Sequence, residues 1–229
     1  MNRTYGDACA VARSLDVIGE RWALLVVREL VLGPVRFSDL LAGLPGASPN
    51  VVTQRLRELT ASGVVARRDL GPPARVHVYE LTPLGRELEP VLLQLARWGS
   101  GLPAPAGGQL GTTSLLMSIK VMFDPQRAGE LAGCYELRIG ADTFAVEIRD
   151  RALGIRRGSP ARPGAALTTD RGTFQAICSS RRSLADATRS GDAHIDGDPA
   201  ARQRLGALIE SIRWQETSAA EPAPPAGRG

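Results

Sequence analysis

The six residues Leu44-Pro45-Gly46-Ala47-Ser48-Pro49 restrict this chain more than any other stretch of it. Pro-Gly favours a tight turn, Ser48 offers a hydroxyl to cap a helix, and Pro49 stands at the first helical position, where its missing N–H costs nothing. A helix is therefore expected over about 49–61, closed by Gly63. Ahead of the turn, Phe37-Ser38-Asp39-Leu40-Leu41 reads as a short helix with Ser38 as its N-cap. Short helix, tight turn, second helix is the layout of a helix-turn-helix. Two strands follow, 64–69 and 76–81, joined by the tip Leu70-Gly71-Pro72-Pro73-Ala74-Arg75, and this hairpin forms a wing.

Upstream, 8–18 and 21–32 read as helices, with Ala8, Val11, Ala12, Leu15 and Ile18 on one face and Trp22, Leu25, Val26 and Leu30 on the other; Gly33-Pro34 stops the second. Downstream, Thr82 caps a helix that begins at Pro83 and carries Leu84, Leu88, Val91, Leu95 and Trp98 at spacings of 4, 3, 4 and 3. Such a seam needs a partner: either the first helix or the same helix of a second subunit.

At about 100° per residue, Val52, Leu56 and Leu59 share one side of the 49–61 helix and must face a core. Asn50, Thr53, Gln54 and Arg57 fall on the opposite side. Asn and Gln can pair bidentately with adenine, Arg with guanine, and Thr with a thymine methyl or a phosphate. An ordinary solvated face has the same polarity, but the turn, the Ser48 cap and the hairpin behind it favour double-stranded DNA as the partner. Arg55 projects to the flank of the core side, where it either clamps a phosphate or braces the fold. Arg67, Arg68, Arg75 and His77 lie on the wing, where basic side chains neutralise backbone phosphates or solvate a strand.

The formal net charge of +4 adds little, because residues 1–100 hold 12 Arg against 10 acidic residues and the excess is the same in the rest. Cys9, Cys134 and Cys178 are an odd number without CxxC spacing, which argues against a disulfide scaffold or a zinc site. No apolar run reaches the roughly 20 residues of a membrane span. The opening MNRTYGDACA lacks a signal-peptide core, so the expected location is the cytoplasm. His77 and His194 are the two histidines, neither in a triad-like pattern, and no P-loop, GxSxG or GxGxxG occurs; no enzyme activity and no cofactor are expected.

The Gly/Pro-rich stretch GSGLPAPAGGQL over 99–110 divides the chain. The expected layout is a winged-helix DNA-binding and dimerisation domain over 1–100, a linker over 101–111, a second domain over 112–214 and a disordered tail over 215–229. In the second domain a helix over 111–123 precedes the hairpin Tyr135, Leu137, Ile139 and Phe144, Val146, Ile148, whose apolar residues alternate with polar ones. Further strands are expected at Leu153 and Ile155, 166–169 and 193–196, and further helices over 171–179, 184–190 (capped by Ser183) and 199–214 (capped by Asp198). The fold class is α+β: a winged helix-turn-helix, then a mainly antiparallel five-stranded sheet with helices on one face.

The stretch from Asp16 to Trp22, Gly33 to Phe37, Gln54-Arg55-Leu56-Arg57-Glu58-Leu59 and Leu81-Thr82-Pro83-Leu84-Gly85, in that order, resembles the HxlR-type winged-helix regulators over nearly all of 7–99. The resemblance implies a cytoplasmic homodimer, paired through N- and C-terminal helices, that binds an inverted-repeat operator and acts as a repressor. The wing departs from the family pattern, being about one residue longer at Ala74-Arg75-Val76-His77-Val78. Cys9 occupies a place where some relatives carry a redox-sensing thiol, which makes a thiol redox-sensing regulator one alternative; a packed, inert thiol is what free cysteine usually is. The run Ser190-Gly191-Asp192-Ala193-His194-Ile195-Asp196-Gly197-Asp198-Pro199 resembles a sterol-carrier-protein type two domain, which implies a small hydrophobic effector. Candidate ligand-wall residues are Leu116, Met117, Met122, Phe144, Phe174 and Ile177, each of a type that fills a plain core more often than it walls a ligand. A pure oligomerisation role for the domain stands beside the effector reading. A lipid carrier whose winged helix serves dimerisation is the other alternative.

Overall fold

The computed structural model describes residues 4–72, 76–103 and 110–211. The first half runs α1 (Ala10–Ile18), α2 (Ala23–Leu30), β1 (Val35–Arg36), α3 (Phe37–Ala42), α4 (Pro49–Ala61), β2 (Val65–Asp69), β3 (His77–Leu81), α5 (Pro83–Arg86) and α6 (Leu88–Gly99). Val26, Val27 and Leu30 of α2 pack with Val52, Leu56 and Leu59 of α4, and Leu40, Leu81 and Leu92 close the same core. Burying each such side chain contributes about 1.5–3 kcal/mol, so the apolar stripe of α4 fixes which side is left for solvent. The sheet is antiparallel in the order β1-β3-β2.

Four local expectations are corrected. Arg36, not Ser38, is the N-cap residue of α3, and the Ser38 hydroxyl donates to Asp39 Oδ1 instead. Trp22 adopts φ 79°, so α2 begins one residue after it, and Leu25, expected inward, is exposed. Val11 and Leu15 are also exposed, and in α1 only Ile18 is buried. The helix expected from Pro83 onward is interrupted at Glu87. Pro90 has no N–H to offer the carbonyl four residues back, at Arg86, and the ladder breaks there.

Thr82 ties the wing to α5: its hydroxyl accepts from the Gly85 N–H (3.1 Å) and donates to the Gly63 carbonyl (2.6 Å). A Cβ on Gly85 would stand 2.1 Å from the Val64 carbonyl oxygen, a contact that only glycine permits.

The second half runs α7 (Thr112–Met122), α8 (Ala128–Leu131), β4 (Gly133–Ile139), β5 (Asp142–Arg149), β6 (Ala152–Arg157), β7 (Ala165–Thr169), α9 (Arg171–Cys178), α10 (Leu184–Arg189), β8 (Ala193–Gly197) and α11 (Pro199–Ser211). All five expected strands form one sheet in the order β6-β5-β4-β7-β8, with β4 and β7 parallel and the other neighbours antiparallel. Tyr135, Leu137, Phe144 and Val146 meet Phe174, Leu205 and Leu208 of the helices in one core. Asp198 Oδ1 accepts from the N–H groups of Ala200 and Ala201, and Ser183 from that of Asp186, the caps expected for α11 and α10. The expected tail lies outside the described residues.

The two halves are joined by more than chain continuity. The Arg157 N–H donates to the Leu32 carbonyl (2.6 Å), and Leu32, 1% exposed, packs in the second core. In return Met117 of α7 packs in the first core. Lys120 of α7 pairs with Glu89 of α6.

Candidate nucleic-acid interface

Ser48 stands at the N-cap of α4 in an extended conformation, accepting from the Val51 N–H at 3.4 Å, with Pro49 behind it. Because Val52, Leu56 and Leu59 are at most 2% exposed, the rotation of α4 is settled: Asn50, Gln54 and Arg57 are exposed and Thr53 half-buried on the outer side. Gln54 Nε2 donates to Glu58 Oε1 at 2.7 Å, one turn on. Arg57 makes no ion pair among the described residues, so its guanidinium is available to a partner.

Arg55 is different. Its guanidinium lies 2.7 Å from Glu58 and 3.5 Å from Glu20, and its side chain is 15% exposed. Of the two roles open to it, this geometry is that of a brace between α4 and the segment before α2.

The wing basic residues do not act as one group. Successive strand residues point to opposite faces. Arg67 pairs in register with Tyr79, on the face that carries Val65 and Leu81 into the core beside α4, whereas Arg68 lies on the other face in register with Val78. Arg68 reaches Glu80 through two bonds, 3.0 and 3.1 Å. His77 Nδ1 is 3.6 Å from Asp69 Oδ2, with both side chains exposed. Arg75 lies outside the described residues.

On the far side of the domain, Leu84, Val91, Leu95 and Trp98 are all exposed, Trp98 at 70%, and Leu88 is half-buried. Leu92, which the sequence seam passed over, is the buried residue of α6, and Leu88 and Leu93 pack partly buried against the same core. Val11 and Leu15 of α1 add to the exposed apolar surface. Monomeric soluble proteins rarely leave large contiguous apolar surface uncovered.

The six candidate ligand-wall residues do not meet around one cavity. Leu116, Phe144, Phe174 and Ile177 are at most 2% exposed in the second core, Met117 is turned into the first core, and Met122 is 44% exposed. Cys9 is exposed rather than packed, which removes the inert, buried reading. It stands at the N-cap position of α1, where the backbone N–H groups of Ala12 and then Val11 hold its thiol below the ordinary value. By contrast, burial pushes Cys178 up to about 12.

A two-helix unit with its second helix turned outward, followed by a basic hairpin, defines a winged helix-turn-helix DNA-binding protein. A model of the HxlR-like helix-turn-helix matches residues 17–105, and one of the alkyl sulfatase C-terminal domain matches 107–214. The chain is 41% identical over 97 residues to the uncharacterized HTH-type transcriptional regulator sll1512 of Synechocystis sp., covering 42% of this chain and 70% of that one. It is 38% identical over 89 residues to YvaP of Bacillus subtilis, an uncharacterized regulator of the same type, covering 38% and 82%. Among solved structures, the redox regulator HypR in its oxidized form is 34% identical over 42% of this chain and 100% of that one, with a TM-score of 0.40. The chain belongs to the HxlR-like helix-turn-helix family and is a DNA-binding transcriptional regulator. For the second domain the match is to the alkyl sulfatase C-terminal model, where a sterol-carrier domain was expected.

Proposed function

We propose that the protein is a cytoplasmic homodimeric repressor that lays α4 in the major groove of an inverted-repeat operator and answers to a small hydrophobic effector through its second domain. The observation that carries the DNA-reading part is the outer side of α4, where Asn50, Gln54 and Arg57 are exposed opposite a fully buried apolar stripe. Asn50, Thr53, Gln54 and Arg57 read base edges, and Arg67, on the α4 side of the wing sheet, meets backbone phosphates. Two copies pair through α6 and α1, whose exposed apolar side chains support this assembly.

The second domain serves as the effector domain rather than as a catalyst. Its contacts with the first domain at Leu32 and Glu89 support that role, since a ligand there has a mechanical route to the wing and to α6. The name of the matching model, alkyl sulfatase C-terminal, agrees with an effector that joins an apolar body to an anionic head. Titration of the full chain against its own promoter DNA tests the regulator. Salt-sensitive binding tighter than to random DNA of equal length is expected, and equal affinity for both sinks the reading.

A second reading adds thiol sensing at Cys9, favoured by its exposure and by the N–H groups that stabilise its thiolate. A lowered pKa means more thiolate at any given pH, so iodoacetamide labelling of Cys9 rises at a lower pH than that of free cysteine and outpaces Cys134. Equal labelling of Cys9 and Cys134 at pH 7 ends this reading.

A further inference from the structure

A groove of about 500 Å³ opens between the first sheet and the β5–β6 end of the second domain. Strand register dictates its floor. Val78 of β3 pairs with Arg36 of β1 on one side and with Arg68 of β2 on the other. Residues directly opposite one another in an antiparallel sheet share a face, so Arg36, Val78 and Arg68 form a row on the side away from Val35, Val65 and Leu81. With strands about 4.8 Å apart, the two arginine stems start about 10 Å from each other with an apolar side chain between them. Val78 points away from the first core, is 4% exposed, and lines the groove together with Ala141, Thr143 and Arg157 of the second domain.

Arg157 and Asp142 supply the opposite wall, and Leu70 stands at the wing side. Arg157 is held in place: Nη2 donates to Thr113 Oγ1 (3.1 Å), Nη1 lies 3.3 Å from Asp142, and the guanidinium sits over the Phe144 ring at 5.2 Å. A cation fixed before a ligand arrives loses little entropy on binding. Arg68 shares its charge with Glu80, whereas Arg36 is exposed and makes no ion pair among the described residues. The lining thus sets three arginines against two aspartates, one of which Arg157 already engages.

We propose that this groove binds a small amphiphilic monoanion, with its anionic oxygens between Arg36 and Arg157 and its apolar body over Val78 and Leu70. The volume falls in the range of small-ligand sites, ~300–1,000 Å³, and domain junctions are where such sites concentrate. A DNA phosphate competes for the same arginines on charge alone, but a phosphodiester brings no apolar part for Val78 and Leu70. A ligand here bridges the wing to the second domain, so it favours whichever placement of the wing keeps the groove closed, and it shifts DNA affinity by its preference between the two placements. The link to DNA rests on the regulator reading above; the site itself does not.

The test is calorimetric titration of the full chain with octanoate, with octanol as the uncharged counterpart and with inorganic phosphate as the head alone. Octanoate binding at least tenfold tighter than either is expected. Arg36→Gln should weaken it about tenfold with an unchanged melting temperature, and Arg36→Lys should retain most of it. No octanoate binding at millimolar concentration, equal binding of octanol or phosphate, or an unaffected Arg36→Gln variant overturns the proposal. A chain that binds its promoter but ignores octanoate keeps the regulator and loses the groove, and the opposite pair of results does the reverse.

Discussion

The backbone N–H of Arg157, at the end of β6, donates to the carbonyl of Leu32, just past α2, across 2.6 Å. Leu32 then inserts into the second core while Met117 inserts into the first. Each core therefore takes in a buried side chain supplied by the other half, and Val31 packs against the second core beside Leu32, so the two should unfold together. Leu32→Ala should cost about 2–4 kcal/mol, as core truncations do. In urea denaturation followed by far-UV dichroism and tryptophan fluorescence, one coincident transition should move to lower denaturant in this variant. Two separated transitions in the parent chain would show that the cores are independent.

The Glu89–Lys120 pair predicts an asymmetry. The Lys120 side chain is 11% exposed and that of Glu89 29%, so removing the carboxylate strands the more buried charge. An unpaired buried charge is costly, whereas a pair replaced by apolar atoms often is not. Glu89→Gln should therefore destabilise by roughly 1–3 kcal/mol and Lys120→Met by less than about 1 kcal/mol, measured by urea unfolding. The reverse order would mean that Lys120 gains its stability from packing of its stem alone.

Base reading and phosphate contact should separate on substitution. Asn50→Ala and Arg57→Ala should each cost about 1–3 kcal/mol on the operator and little on random DNA, because a lost bidentate contact is felt where the base is right. Arg67→Ala should weaken both DNAs alike and reduce the slope of log affinity against log salt by about 1. Arg68→Ala should do less, since Arg68 lies on the opposite face and is engaged by Glu80. Fluorescence anisotropy at several salt concentrations distinguishes these, and equal losses for Arg67 and Arg68 would show that both faces of the wing touch DNA.

What could be read in the residues was what local chemistry decides. Ser48-Pro49 sets the start of α4, and the spacing of Val52, Leu56 and Leu59 sets its rotation, so the outward face follows from the sequence. Alternation along 135–148 likewise gave a hairpin, because Tyr135, Leu137, Ile139, Phe144, Val146 and Ile148 share one fully buried face. The other face is exposed at Arg138 and Glu147 but buried at Glu136 and Ala145, which alternation alone does not reveal. The two-residue strand β1 has no period to detect, and the break before α6 needed Pro90 weighed against a strong apolar seam. The candidate ligand wall shows a general limit: Leu116, Phe144 and Phe174 look the same in a sequence whether they line a cavity or fill a core, and in the fold they are buried in the second core. Arg36, Arg68 and Arg157 lie far apart along the chain, and only strand register and the docking of the two halves bring them to one groove.

The seam on α6 allows dimerisation to be separated from folding within a single helix. Val91 is 43% exposed and Leu92 8%, adjacent residues facing opposite ways. A glutamate at Val91 keeps its charge in water when the subunit is alone, so Val91→Glu should leave the monomer folded. In a two-fold interface the change is met twice, which magnifies its effect on association. Light scattering at micromolar protein should find the parent chain dimeric and Val91→Glu monomeric. Affinity for a two-half-site operator should then fall by roughly two orders of magnitude, since each winged helix loses the effective concentration that its tethered partner provided. Leu92→Glu buries an unpaired carboxylate in the first core instead and should unfold the domain, lowering helical dichroism as well as DNA binding. A Val91→Glu protein that remains dimeric, with operator affinity intact, would move the subunit contact away from α6.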